Sequence, residues 1–448
     1  MGYELRINFG EILIKKITIL LLFFIAANQL SAQDIITFDK NIIQINDNPF
    51  FPIGWYECNS IEELIEIRGA GCNVTLVLWE FLIRANKGAF NPEGYKEALH
   101  SFLLAADSLE IKVIIQLPFK KEFSSARELE NAVVNDIFIN TLVPHFKDYP
   151  ALLGWYLADE PEAGTNWKTE PYSRLQNWYR LIKTIDPNHP VFVCIANGYD
   201  LENQTVRPVG PQNKDNPFEM ELFFDVLMED HYTIFQQDSV PSSKLGEFDK
   251  WLRSLYDCFE NYHRYGLTAS STMLVTQGYG ESSSGHRNPD PIEIKYSVLS
   301  SLAYAQNDGY SNPVSVNAGG IFFWRYGAAD SICKNNINSF IRYFTGNSLD
   351  IVLRQPNINY KIINDINYPQ LETFLRFWNG SFYLFVINRS DAPANPEIKL
   401  NIGNYSDCSE LRVPYLTNQR MSLINKGEGY YSLIDTLGAR ESKVYSIK

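Results

Sequence analysis

The stretch 152-LLGWYLADEPE-162 runs through seven residues that are apolar or aromatic apart from one glycine, and then stops at three acids around a proline. Its apolar run is continuous instead of alternating, as expected of a strand covered on both faces in a parallel sheet. Such a strand ends by presenting Asp159 and Glu160. Seven more runs of the same kind occur along the chain: FFPIGWY from Phe50, CNVTLVLW from Cys72, IKVIIQL from Ile111, PVFVCIA from Pro190, FDVLMED from Phe224, TMLVTQ from Thr272 and GGIFFW from Gly319.

Helix-like segments lie between these runs, and several carry start signals. Ser60 with Glu63 forms a capping box ahead of LIEI, and Asp290-Pro291 with Glu293 does the same before IKYSVLSSLAYA. Asn91-Pro92 opens a helix whose Tyr95, Ala98, Leu99, Phe102, Leu103 and Ala106 share one face. Eight strands, each followed by a helix, predict a closed (β/α)₈ TIM barrel. No glycine-rich phosphate fingerprint follows the first strand, which disfavours a dinucleotide fold. From about Asn347 the pattern changes to short segments, LETFLRFW, FYLFVIN, EIKLNIG and SKVYSIK, separated by Asn, Gly, Ser and Pro. These read as alternating strands of a small antiparallel β-sandwich. The expected organisation is a signal peptide over residues 1–32, a barrel over 33–346 and a sandwich over 347–448.

The signal peptide rests on Lys15 and Lys16, the apolar run ITILLLFFIAANQL and the small residues Ser31 and Ala32, so the mature chain is expected to begin near Gln33. This order implies a secreted or periplasmic protein with no membrane insertion once the signal is cleaved. With 45% hydrophobic and 14% aromatic residues the chain can bury a large core. A net charge of -13 leaves no broad basic surface for nucleic acid. Six cysteines, Cys58, Cys72, Cys194, Cys258, Cys333 and Cys408, lack CxxC or Cys-His spacing and are read mainly as buried thiols. No ligand cluster or phosphate cradle implies a metal or cofactor.

A barrel of this kind builds its active site where its strands end. Those ends carry Trp55, Tyr56 and Glu57; Trp79 and Glu80; Asp159 and Glu160; Asp230, His231 and Tyr232; Gln277 to Glu281; and Trp324, Arg325 and Tyr326. Acids beside apolar rings suit glycoside cleavage, because one carboxyl must keep its proton near neutral pH and aromatic faces stack on sugars. Asp230-His231 also invites a triad or metal reading. However, no Gly-x-Ser-x-Gly elbow supplies a serine, and His100, His145, His189, His263 and His286 fall mostly in expected helices or loops away from strand ends. His231 is read as structural.

GWYLADEPE resembles the fourth-strand motif of the clan A glycoside hydrolases, whose general acid/base is the Glu of an Asn-Glu-Pro or Asp-Glu-Pro. FFPIGWYE, GCNVTLVLW and GGIFFWRY are similar to their first, second and eighth strands. The resemblance runs from about Ile43 to Phe344. It implies that Glu160 is the acid/base, that Asp159 stands where an asparagine bonds the substrate's 2-hydroxyl, and that Trp324 is a sugar platform. Tyr56, Glu57, Trp79, Tyr232, Gln277 and Arg325 are the further candidates for binding an oligo- or polysaccharide.

The seventh strand departs from that pattern, because LVTQGYGE places Gln277 where retaining members carry a nucleophilic Glu. An amide cannot form the glycosyl ester. Either another carboxylate acts, with Glu281, Asp230 or Glu57 nearest, or the substrate's own N-acetyl group attacks with Asp159 or Asp230 orienting it, or the barrel binds sugar without cutting it. Hydrolysis of a β-linked glycoside is the leading expectation. A non-catalytic carbohydrate-binding protein on a degenerate barrel is its alternative, and a transglycosylase or lyase a third.

Overall fold

The computed structural model describes residues 34–39, 42–77, 92–117, 127–160, 169–196, 199–200, 205–206, 223–232, 270–280, 285–303, 318–353, 355, 361–363, 367–368, 370–401, 411–412, 420–421, 424–427 and 430–447. Eight parallel strands form a closed barrel: β1 (Ile53–Tyr56), β2 (Val74–Val77), β3 (Lys112–Gln116), β4 (Leu152–Asp159), β5 (Val191–Ala196), β6 (Val226–His231), β7 (Ser271–Gln277) and β8 (Ile321–Trp324). The ring shuts where β8 pairs with β1, Phe323 opposite Trp55. All eight expected strands are present, and the barrel is therefore a TIM barrel.

The strands read as continuously apolar because both faces are buried. One face fills the barrel with Tyr56, Val74, Leu76, Ile114, Phe192, Cys194, Met228, Val275 and Phe322. The other packs on helices α1 (Ile61–Ala70), α2 (Pro92–Ser108), α3 (Arg127–Phe146), α4 (Thr169–Ile185), α5 (Pro291–Ala303) and α6 (Ser331–Gly346). Trp55 and Trp155 belong to this outer layer, where their indole N–H groups donate to Asn338 at 3.3 Å and Asp186 at 2.8 Å. Trp55 is therefore core, although it sits next to the strand end. Helix α2 buries Leu99, Phe102, Leu103 and Ala106, as its spacing predicts.

Both capping boxes form. At α5 the Glu293 amide donates to Asp290 Oδ1 at 2.9 Å and the Asp290 amide donates back to Glu293 Oε2 at 2.9 Å. At α1 Ser60 Oγ accepts from the Glu63 amide at 3.1 Å, but Glu63 reaches one residue further back, to the Asn59 amide at 2.6 Å. Each cap is worth about 1 kcal/mol.

Two features differ from the expectation. Before β1, three short antiparallel strands (Ile36–Asp39, Ile42–Ile45 and Asn48–Phe50) form a sheet that seals the N-terminal end of the barrel. Ile36 and Ile43 enter the barrel core, and Lys112, the first residue of β3, binds Asp34 Oδ2 and the Pro150 carbonyl, each at 2.5 Å.

The second difference lies after α6. A short α7 (Leu349–Leu353) adds Leu349, Val352 and Leu353 to the helical layer, and two antiparallel sheets follow. One has four strands, in the order β9 (Lys361–Ile363), β12 (Glu397–Asn401), β16 (Tyr430–Ile434) and β15 (Ile424–Gly427). The other has five, in the order β10 (Leu371–Trp378), β11 (Ser381–Asn388), β17 (Ser442–Ile447), β13 (Leu411–Arg412) and β14 (Arg420–Met421). Leu375, Leu384, Ile398, Leu433 and Tyr445 from both sheets meet in one core, which makes the pair a sandwich.

The expected alternation fails in the five-stranded sheet, because Phe374, Phe385, Ile387 and Val444 on its outer face pack into the barrel's helical layer. Arg440 fastens the same contact: its guanidinium donates to Tyr296 Oη of α5 at 3.0 Å and pairs with Asp391 at 2.9 Å.

Candidate active site

The cup at the C-terminal end of the barrel owes its chemistry to irregularities in β4. In a regular strand, side chains alternate, so Tyr156 and Asp159 would face opposite ways. The pairing of β4 slips against β3 between Val113 and Ile114, and against β5 between Tyr156 and Ala158. Leu153 and Tyr156 consequently face the barrel interior, while Leu152, Trp155, Leu157 and Ala158 face the helices. Asp159 comes level with Cys194 of β5, and Tyr156 Oη donates to Asp159 Oδ1 at 2.5 Å. Tyr56 Oη lies 3.5 Å from Tyr156 Oη and 3.6 Å from Met228 Sδ.

Glu160 continues the ladder, its amide donating to the Cys194 carbonyl at 2.8 Å, but its backbone is left-handed, with φ 41°. Glu57, at the end of β1, is left-handed too, with φ 60°. Non-glycine residues in this region cost about 1–2 kcal/mol each. The turn at Glu160 leaves its carboxyl within side-chain hydrogen-bonding reach of Asp230, at the end of β6. Asp230 is buried, and Tyr232 Oη donates to its Oδ2 at 3.0 Å.

Burial raises Asp230 well above the ordinary carboxylate range. The negative charge of Glu160, a hydrogen bond with Glu160 and the charge of Asp159 add to this, while the Tyr232 bond opposes it. Burial, followed by the charge of Asp230, likewise keeps the Cys194 thiol and the Tyr232 phenol protonated.

The other candidates distribute as follows. Trp324 is partly exposed and meets Tyr56 edge-on at 5.0 Å, closing one side of the cup. Its peptide to Arg325 is cis. Arg325 is half-exposed and lies 3.4 Å from Glu57 Oε2, so these two pair with each other on the rim. Gln277 is inside but engaged: its amide donates to the carbonyls of Tyr279 at 2.9 Å and Arg287 at 2.8 Å. Trp79, Glu80, Glu281 and the side chain of His231 lie outside the described residues.

Sequence reasoning missed Gln116 and His286, while Tyr279 lies within the strand-end segment Gln277 to Glu281. Gln116 ends β3 on the inward parity of Ile114 and is buried. Tyr279 and His286 come back over β6, their rings 5.5 and 6.2 Å from that of Tyr232. The strand-end rule could have found Gln116, whereas His286 lies nine residues beyond its strand and had no such signal. Among the described residues, no group of three His, Cys, Asp or Glu side chains converges as metal ligands would.

Residues 57–208, less than half of the chain, match the model of a family described as a domain of unknown function, DUF4434. That segment holds Glu57, Asp159 and Glu160. No curated protein matches the chain. Among solved structures, the chain is similar to a GH30 endoxylanase from Clostridium papyrosolvens C71, with TM-score 0.49 at 12% identity over 93% of this chain and 98% of that one. It is also similar to an alpha-amylase from Geobacillus thermoleovorans, with TM-score 0.46 at 13% identity over 87% and 91%. Likeness at this distance does not establish a shared chemistry.

Proposed function

We propose that the protein is an exported glycoside hydrolase that cleaves a β-linked bond in an oligo- or polysaccharide, with Glu160 as the general acid. The observation that carries this reading is the contact between Glu160 and Asp230 inside an aromatic cup. A carboxylic acid beside a second, buried carboxyl, flanked by Tyr232 and Trp324, joins the two things glycoside cleavage asks of a protein: a proton donor and apolar rings for a sugar's C–H faces.

Within the pair, Asp230 is the buried partner and Glu160 the partly exposed one. Glu160 is therefore the one placed to reach the glycosidic oxygen, with Asp230 behind it. The Glu160 proton passes to the departing oxygen as its bond to the anomeric carbon breaks; water then adds to that carbon and gives a proton back to the Glu160 carboxylate, which restores the acid. Facing carboxyls that straddle an anomeric carbon stand about 5–5.5 Å apart in retaining enzymes and about 6.5–9.5 Å apart in inverting ones. Asp230, buried behind Glu160 and bonded to Tyr232, is placed to support Glu160 and not to attack carbon. Asp159, fixed by Tyr156, is the group placed to orient the sugar beside Glu160.

In this reading residues 1–32 are the export signal, residues 33–346 the catalytic barrel and residues 347–448 a supporting sandwich. Release of reducing ends from a panel of polysaccharides and aryl glycosides tests it. The wild type should turn over at least one β-linked polysaccharide, and Glu160→Gln should lower that turnover by about 10²–10⁴-fold. Saturable sugar binding with no release by the wild type would leave a binding protein instead.

A further inference from the structure

The end of β7 is built for a purpose other than attack. Gln277 is only 2% exposed, and its two amide protons reach carbonyls at both ends of the loop between β7 and α5, Tyr279 at 2.9 Å and Arg287 at 2.8 Å. The described parts of that loop, 278–280 and 285–290, are tied down elsewhere as well. Gly278 donates its amide to the Trp324 carbonyl at 2.5 Å, and Arg287 binds Glu293 through two nitrogens at 2.8 and 2.5 Å. A Cβ on Gly278 would stand 2.7 Å from both the Trp324 carbonyl oxygen and Trp55 Cζ3, so the loop leaves β7 in close contact with β8. Held this way, the loop lays Tyr279 and His286 against Tyr232, whose hydroxyl is bonded to Asp230.

We propose that Gln277 is a positioning residue that closes this loop and so builds the aromatic wall beside the carboxyl pair, and that an ionised carboxylate cannot replace it. The chemistry is one of donors and acceptors. The two carbonyls require two N–H donors, which an amide has and a carboxylate lacks. A buried carboxylate there would face two acceptor oxygens with no compensation. Protonated, a glutamic acid recovers one donor. The proposal depends on the glycosidase reading only for what the wall touches, because loop order can be measured without any substrate.

The test is hydrogen exchange by mass spectrometry on the wild type, Gln277→Glu and Gln277→Met, at acidic and at mildly alkaline pH, corrected for intrinsic rates. In Gln277→Glu, amides of the loop should exchange about tenfold or more faster than in the wild type at alkaline pH, with the difference shrinking at acidic pH. In Gln277→Met the acceleration should persist at both. Amides of β1 to β3 should stay protected in all three, which separates loop release from unfolding. Two results would overturn the proposal: wild-type exchange in the Gln277→Glu loop at alkaline pH, or faster glycoside turnover by Gln277→Glu than by the wild type. A wild type without hydrolase activity would defeat the functional reading while the exchange arms still decide this one.

Discussion

Replacing Asp230 by asparagine should make the protein more stable and slow the proposed hydrolysis. Asp230 is 7% exposed, faces Glu160 and Asp159, and accepts one hydrogen bond from Tyr232 at 3.0 Å. An asparagine there keeps the acceptor for Tyr232 and turns an uncharged amide toward Glu160.

The sign follows from linkage. Asp230 is raised in the folded state, so its favourable contribution is complete below the unfolded carboxylate value of about 4 and is lost as pH rises through the higher folded value. At neutral pH the wild type therefore bears the cost of an unbalanced buried acid, about 1–3 kcal/mol for groups of this kind. Asp230→Asn should recover about that much at neutral pH and nothing below about pH 4. Turnover should fall by about 10²–10⁴, the usual contribution of a positioned acid or base. Thermal melts across a pH series, with kcat/KM at neutral pH, measure both. A variant less stable than the wild type at neutral pH, or one whose advantage persists unchanged in acid, would show that the two carboxyls do not oppose each other.

Other perturbations give distinct outcomes. Tyr156→Phe removes the hydroxyl that fixes Asp159; a charge-assisted bond worth about 1.5–3 kcal/mol corresponds to a kcat/KM about 10- to 150-fold lower, read by steady-state kinetics with the melting temperature as control. Lys295, partly buried on α5 near Glu441 and Lys443, is held down to about 8 from 10.5, chiefly by lost hydration. Its destabilising ammonium is present in full below about pH 8 and disappears above the unfolded value, and at about 1.4 kcal/mol per pH unit the gap of 2.5 units caps the cost at about 3.5 kcal/mol. Lys295→Met should therefore gain up to that amount at neutral pH, with the gain fading in melts taken at increasingly alkaline pH.

The barrel was legible because each of its strands is covered on both faces, so continuous apolar runs marked all eight. The caps at Ser60 and Asp290 were legible because they are local. The slips in β4 were not, since they arise from pairing with β3 and β5, and no feature of LLGWYLAD alone announces that Leu153, Tyr156 and Asp159 share a face. Tertiary burial also hid the sandwich's character: Phe374 and Phe385 look like one side of an alternating pair until the barrel helices cover them. The sheet before β1 did carry a readable signal, Ile36 and Phe38 answered by Ile43 and Ile45 with an Asn46-Asp47 turn following. Asp159 and Glu160 were found from their place at a strand end. Their partnership with Asp230 required the closed ring.

If Glu160 donates the proton, the rate of cleavage must depend on how badly the leaving oxygen needs one. Wild type and Glu160→Gln should be compared on β-glycosides of one sugar whose leaving groups range from acidic phenols to alcohols. The variant is expected to lose about 10²–10⁴-fold on alcohols, which cannot depart unprotonated, and far less on the most acidic phenols. A loss of equal size across the whole series would contradict general acid catalysis by Glu160.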